Sequence, residues 1–236
     1  MATLASMPPV TIEQADLLRF GNTWINNGER LSRTSPYSSG DLGKLFDAAV
    51  GKSLAVMLGG IPVVIPNNSS LTPSQRDCVE VGPVRVIGGV RPQNFDVGYR
   101  PDGVRFAFDS KTLNDRDSIG KNWQNMINDL ATEATTVHSR FPHAVVALMV
   151  IYPAPCVSAA HQKATIETLE RLARRGTVDG PPYMAEAISL VLWNPHDGTI
   201  VPNIPASASP LRIERFSEQV EAAYVSRYKG LPPHTE

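Results

Sequence analysis

Residues 95–113 read FDVGYRPDGVRFAFDSKTL, and this stretch decides the fold. Two runs typical of β-strands, at 95–100 and 104–113, flank the Pro-Asp-Gly sequence at 101–103, a composition that favours a tight turn. The pattern therefore predicts an antiparallel hairpin. A further strand-like run, CVEVGPVRVIG at 78–88, precedes the hairpin and is expected to extend the same sheet.

The segments that follow the hairpin alternate between helix and buried strand. Residues 118–138 place apolar side chains on one helical face, and Ser118 is expected to cap that helix. Continuous apolar runs at 143–153 and 186–195 have the length of strands buried on both faces, and Ser158 begins a helix between them. Helical crossovers between such strands predict an α/β fold with a mixed β-sheet that contains the antiparallel hairpin and is flanked by helices.

Helical periodicity also marks both ends of the chain. Residues 11–27 and 41–58 precede the sheet, the turn-rich stretch 59–77 joins them to it, and residues 213–228 form a closing helix. We expect a single domain over residues 1–236. Its parts are a helical N-terminal layer at 1–60, a sheet core at 78–195 and a C-terminal helix at 211–230.

The composition is that of a globular protein with no membrane span. Hydrophobic residues make up 42% of the 236 positions and charged residues 19%, which excludes the disordered and fibrous classes. No apolar run approaches the roughly 18 residues that a membrane span needs, and no signal-peptide pattern is present, so a cytoplasmic location and no membrane partner are expected. The two cysteines, Cys78 and Cys156, are expected to be free thiols. With a net charge of −1, any DNA contact must come from a local surface.

Asp109 and Lys111 are the first candidates for chemistry. Side chains two positions apart on a strand share a face, so these two point the same way with their Cα atoms about 7 Å apart. Phe106 and Phe108 point to the opposite face, where burial against a helix would anchor the strand. The hairpin thus presents an acid and a base together.

Asp96 lies on the other strand of the hairpin. A three-residue loop places it opposite Phe108, and a loop longer by one, or a bulge, places it opposite Asp109. In either register the carboxylates of Asp96 and Asp109 are neighbours, and a bound cation is one way to relieve their repulsion. Their hard oxygen ligands favour Mg²⁺ or Mn²⁺, which polarises a phosphate and activates water, while Lys111 orients that water.

The stretch FDVGYRPDGVRFAFDSK, with its surroundings at 78–153, resembles the PD-(D/E)XK nuclease superfamily, which includes the type II restriction endonucleases. The resemblance implies a restriction-endonuclease-like core and a metal-dependent DNA endonuclease. It implies Asp96 and Asp109 as Mg²⁺ ligands, the Ser110 carbonyl as a further ligand, and Lys111 as the water-positioning base. The catalytic residues would then be Asp96, Asp109 and Lys111.

Two positions in this assignment, the first metal ligand and an upstream acid, have more than one candidate residue. The literal Pro-Asp pair of this sequence is Pro101-Asp102, but it lies in the turn, so we assign the first ligand to Asp96 on the strand. An acid from an upstream helix often completes such sites in the superfamily. Asp47 and Glu80 are both candidates, and the sequence does not choose between them.

The expected partner is double-stranded DNA, bound by a homodimer whose two sites cut both strands. The candidate DNA-binding residues are Lys121, Asn122, Gln124 and Asn125. A solvated helix face accounts equally well for polar side chains at these positions. Two alternatives to a type II restriction enzyme are open. One is a structure-specific repair or recombination nuclease of the same superfamily, and the other is a non-catalytic protein that binds nucleic acid or another partner.

Overall fold

The hairpin lies inside a seven-stranded mixed sheet in the computed structural model, which describes residues 3–67 and 70–234. The strands of this part of the chain follow one another across the sheet in sequence order. They are β1 (Val63–Val64), β2 (Val79–Ile87), β3 (Pro92–Tyr99), β4 (Phe106–Thr112), β5 (Val145–Pro153), β6 (Ala187–Asn194) and β7 (Thr199–Ile200). The β1–β2, β4–β5 and β5–β6 pairs are parallel, and the other neighbouring pairs are antiparallel. The predicted α/β class and mixed sheet are confirmed.

Five α-helices in the described residues accompany the sheet. They are α1 (Gln14–Asn26), α2 (Ser39–Met57), α3 (Arg116–His138), α4 (Ala159–Leu172) and α5 (Ile213–Tyr228). Two of these helices begin at serine caps. Ser38 and Asp41 form a reciprocal capping box on α2, and the Ser158 hydroxyl accepts a hydrogen bond from the His161 N–H at the start of α4. No helix of residues 3–67 and 70–234 has the length and apolarity to span a membrane.

The predicted cap of α3 is wrong by three residues. Asp115, not Ser118, has the extended backbone of a cap, and its side chain accepts bonds from the Ser118 N–H and hydroxyl. Asp and Ser cap helices about equally well, so the sequence offers two caps spaced three apart. The chain uses the first because Ser118 can then donate to it from inside the first turn.

The two faces of the sheet carry different helices. Phe108 packs edge-on against Phe216 of α5, and Ser110 lies beside Gly43 of α2, so both helices cover the face to which these two residues point. Lys111 points to the opposite face, where it contacts Glu133 of α3. The buried aromatic residues therefore anchor β4 as expected, and its charged residues face α3.

The hairpin register follows the second of the two expected alternatives. Val97 pairs with Phe108 and Tyr99 with Phe106, so the next pair along the strands would be Asp96 and Asp109. The ladder ends at Val97, one step before that pair. The two strands therefore diverge where the two carboxylates lie.

Candidate functional site

The structure brings Asp109, Lys111 and Glu133 into direct contact. Asp109 and Lys111 alternate with the core residues of β4, and the Asp109 side chain is 8% exposed. The Lys111 Nζ contacts the Asp109 carboxylate and lies 2.6 Å from Glu133 Oε1. A charged hydrogen bond on each side fixes the ammonium between the two acids.

Asp96 lies in the gap between the diverging strands. Its Oδ2 accepts a 2.9 Å bond from the Ser110 N–H and a 3.3 Å bond from the Ser110 hydroxyl. The N–H and C=O of one extended residue point to the same edge of its strand. The Ser110 carbonyl is therefore directed into the gap that holds the Asp96 carboxylate.

Of the two upstream acids, Asp47 is the one that lies beside Asp96 and Ser110. It projects from α2, it is 5% exposed, and its Oδ1 has no hydrogen-bond partner within residues 3–67 and 70–234. Glu80, the other candidate, is held in a bidentate ion pair by Arg100 at 2.7 and 2.8 Å. Glu80 is thus neutralised within the fold, whereas Asp47 faces Asp96 and Ser110.

Burial and charge repulsion raise the pKa of these acids. Burial, followed by the nearby Asp96 charge, raises the pKa of Asp47 to about 8, against the opposing effect of Ser110. Burial, followed by Glu133 and Asp96, holds the pKa of Asp109 well above its usual range. Burial also raises the pKa of Glu133. For Lys111, burial lowers the pKa, but Asp109 and Glu133 outweigh that effect and keep the side chain charged.

The candidate site therefore contains four acids: Asp109 and Glu133 contact Lys111 on the α3 side of β4, and Asp47 and Asp96 lie near Ser110. Within the described part of the chain, no three His, Cys, Asp or Glu side chains converge closely enough to hold a metal ion as they stand. Lys111 is the counter-ion of Asp109. All of the available donors are oxygen atoms: those of the buried carboxylates, including the unpartnered Asp47 Oδ1, and the Ser110 carbonyl. Oxygen donors of this kind fit a hard divalent cation.

Glu133 is the site residue that the sequence analysis missed. It is three residues after Leu130 and four before Val137, so it belongs to the buried face of α3, and it is 2% exposed. A carboxylate on the apolar face of an amphipathic helix is the signal that could have found it.

The candidate DNA-binding residues lie outside this cluster. Lys121, Asn122, Gln124 and Asn125 are exposed on the first half of α3. At 1.5 Å per residue they are about 12 to 18 Å from Glu133 along the helix axis. Asp102, the acid of the literal Pro-Asp pair, is exposed and bound to Arg105 in the hairpin turn. The structure thus places Asp102 away from Asp109.

Asp47→Asn is expected to flatten the pH dependence of stability. The pKa of Asp47 is 3.8 ordinarily and about 8 in the folded chain, so the folded state keeps a proton that the unfolded state releases. The free energy of unfolding of the wild type therefore falls as pH rises between these two values. Because one pKa unit corresponds to about 1.4 kcal/mol, the variant should be more stable than the wild type at pH 8 by about 2 kcal/mol or more.

Urea denaturation of both proteins at several pH values between 5 and 8 measures this difference. Asp179→Asn changes an exposed carboxylate and serves as the control. If the curves of Asp47→Asn and the wild type run parallel across this range, Asp47 does not carry the extra proton.

Comparisons with known proteins add no family to this picture. No protein-family model, no curated protein and no solved structure matches the chain.

Proposed function

We propose that the chain is a Mg²⁺-dependent DNA endonuclease of the PD-(D/E)XK superfamily, with a restriction-endonuclease-like core, and that it acts as a type II restriction enzyme. The observation that carries this proposal is the excess of buried carboxylates at the point where β3 and β4 diverge. Asp109 and Glu133 flank Lys111 there, Asp47 and Asp96 lie near Ser110, and the Asp-x-Lys order of β4 supplies the two residues that share a face. Such an excess of negative charge is costly to bury without a cation.

The Mg²⁺ would be held by Asp96, Asp109 and the Ser110 carbonyl. Asp47 is available as a further carboxylate ligand. A Mg²⁺ held there would supply polarisation of the scissile phosphate and a water molecule of lowered pKa. The raised pKa values of Asp47 and Asp109 fit this role, because a cation favours the ionised forms that burial disfavours.

Lys111 orients the attacking water and offsets the negative charge that develops on the phosphate. Its ammonium donates to Glu133 at 2.6 Å, so it would keep one fixed partner with Mg²⁺ held by Asp109. Phe108 beneath the strand, packed on Phe216, holds the Asp109 and Lys111 backbones in place. Attack by water is expected to leave a 5′-phosphate and a 3′-hydroxyl.

The proposed partner is double-stranded DNA, and the proposed assembly is a homodimer with two such sites, one for each strand. The exposed Lys121, Asn122, Gln124 and Asn125 offer one cation and three amides to phosphates or base edges. On α3 they begin about 12 Å from Glu133 along the helix axis, a distance comparable with the width of the major groove of DNA.

Incubation of the purified protein with plasmid and phage DNA, in Mg²⁺ or in EDTA, tests the proposal. Discrete fragments in Mg²⁺ alone support a site-specific enzyme, and smears indicate a nuclease without sequence specificity. Cutting confined to branched DNA would favour the structure-specific alternative. DNA that stays intact with Mg²⁺ and Mn²⁺ on every substrate would contradict the proposed activity.

A further inference from the structure

A cavity of about 560 Å³ lies at the turn end of the β3–β4 hairpin, apart from the acidic cluster formed by Asp47, Asp96, Asp109 and Glu133. Four segments line it: residues 71–76, the end of β2, the hairpin turn, and the residues that follow α3. Neither Asp109 nor Glu133 is among its lining residues. The β2–β3 turn contacts α3 between the two sites, where the Gly89 N–H donates to the Thr136 carbonyl at 2.9 Å.

The cavity carries a surplus of positive charge. Four arginines line the cavity: Arg76, Arg85, Arg100 and Arg140. The charge of Arg100 is neutralised by its ion pair with Glu80. The one acid in the lining, Asp102, is paired with Arg105. Within residues 3–67 and 70–234, no carboxylate forms an ion pair with the other three guanidinium groups. Arg85 donates to the Asn94 side chain at 3.3 Å and Arg140 to the Ile87 carbonyl at 2.9 Å, both neutral acceptors.

The rest of the wall is apolar and partly aromatic. Val86 and Val104 are buried beneath it, Leu71 is 59% exposed, and Phe141 lies beside the guanidinium of Arg140, 5.5 Å from the ring centroid. A guanidinium presents a planar fork that matches a phosphate and also stacks on flat rings. The cavity therefore combines anion recognition with a surface for a planar group.

We propose that this cavity binds a nucleotide, with its phosphate held by Arg76, Arg85 and Arg140 and its base against the apolar wall. Its volume lies within the range of about 300 to 1,000 Å³ that small-molecule sites occupy. The same chemistry is offered by a free mononucleotide and by a nucleotide of a DNA strand. The site is independent of the proposed cleavage, because it shares no side chain with the acidic cluster.

Calorimetric titration in EDTA tests this site without DNA cutting. The probes are the four deoxynucleoside 5′-monophosphates, a short single-stranded oligonucleotide and inorganic phosphate. We expect a nucleotide or the oligonucleotide to bind more tightly than phosphate. Arg76→Ala and Arg85→Ala should each weaken that binding about 10-fold, the typical loss for one charged hydrogen bond.

Arg33→Ala, an exposed arginine outside the cavity, is the matched control and should bind as the wild type does. Binding of monophosphates identifies a site for free nucleotides, and binding of the oligonucleotide alone identifies a nucleotide of a DNA strand. The proposal is overturned if no probe binds, if phosphate binds as tightly as the nucleotides, or if Arg76→Ala and Arg85→Ala bind like the control. Thermal melting of each variant verifies that it is folded.

Discussion

Lys111→Met is expected to reduce the rate of DNA cutting by about 10³-fold, since it removes the ammonium that we propose orients the water and offsets the charge on the phosphate. Met keeps most of the side-chain volume, so packing against α3 is retained. The loss of the ammonium leaves Asp109 and Glu133 without a counter-ion. Mg²⁺ should therefore still bind the variant, and the defect should lie in the cutting step.

The rate of conversion of supercoiled plasmid to cut forms measures this loss. Lys163→Met is the matched control, because the Lys163 side chain is 78% exposed on α4 and lies far from β4 in the sequence. Wild-type cutting by Lys111→Met would remove this lysine from the mechanism. A variant that no longer folds, as judged by circular dichroism, would be replaced by Lys111→Arg, which keeps the charge but changes its geometry.

Glu186→Gln is expected to cause the largest loss of stability. Glu186 is buried immediately before β6, where its Oε1 contacts Arg175 at 3.2 Å and Arg227 at 2.8 Å. Its Oε2 contacts His138 at 3.2 Å and accepts the Val146 N–H at 2.7 Å. Removal of this charge leaves two buried guanidinium groups unpaired, which typically costs about 3 to 5 kcal/mol.

Urea denaturation at neutral pH measures the free energy of unfolding. Glu214→Gln breaks an ion pair with Arg212 in which the glutamate is 60% exposed, and this control should lose less than about 1 kcal/mol. Equal and small losses in both variants would show that the buried network around Glu186 does not stabilise the junction of α3, β6 and α5.

The sheet and the central pair of the site could be predicted because both depend on local patterns. Strand periodicity places Asp109 and Lys111 on one face, and the Pro-Asp-Gly turn pairs β3 with β4. The apolar runs that become β5 and β6 were recognisable because strands buried on both faces are apolar throughout.

The remaining parts of the site depend on tertiary packing. Asp47 and Glu80 are both buried acids upstream of the hairpin, and only the Arg100 ion pair of Glu80 separates their roles. Glu133 becomes a site residue because the crossover returns α3 over β4, a contact between residues 22 positions apart. The hairpin register was open as well, because it depends on how many residues the turn contains.

The most direct test compares the wild type with Asp109→Asn, purified side by side, in one measurement of supercoiled plasmid cutting in Mg²⁺. The substitution removes one carboxylate charge from the proposed ligand set and keeps the side-chain shape. We predict Mg²⁺-dependent cutting by the wild type and none above background by Asp109→Asn. Equal cutting by the two proteins, or none by either, would contradict the assignment of a metal-dependent nuclease site to Asp96, Asp109 and Lys111.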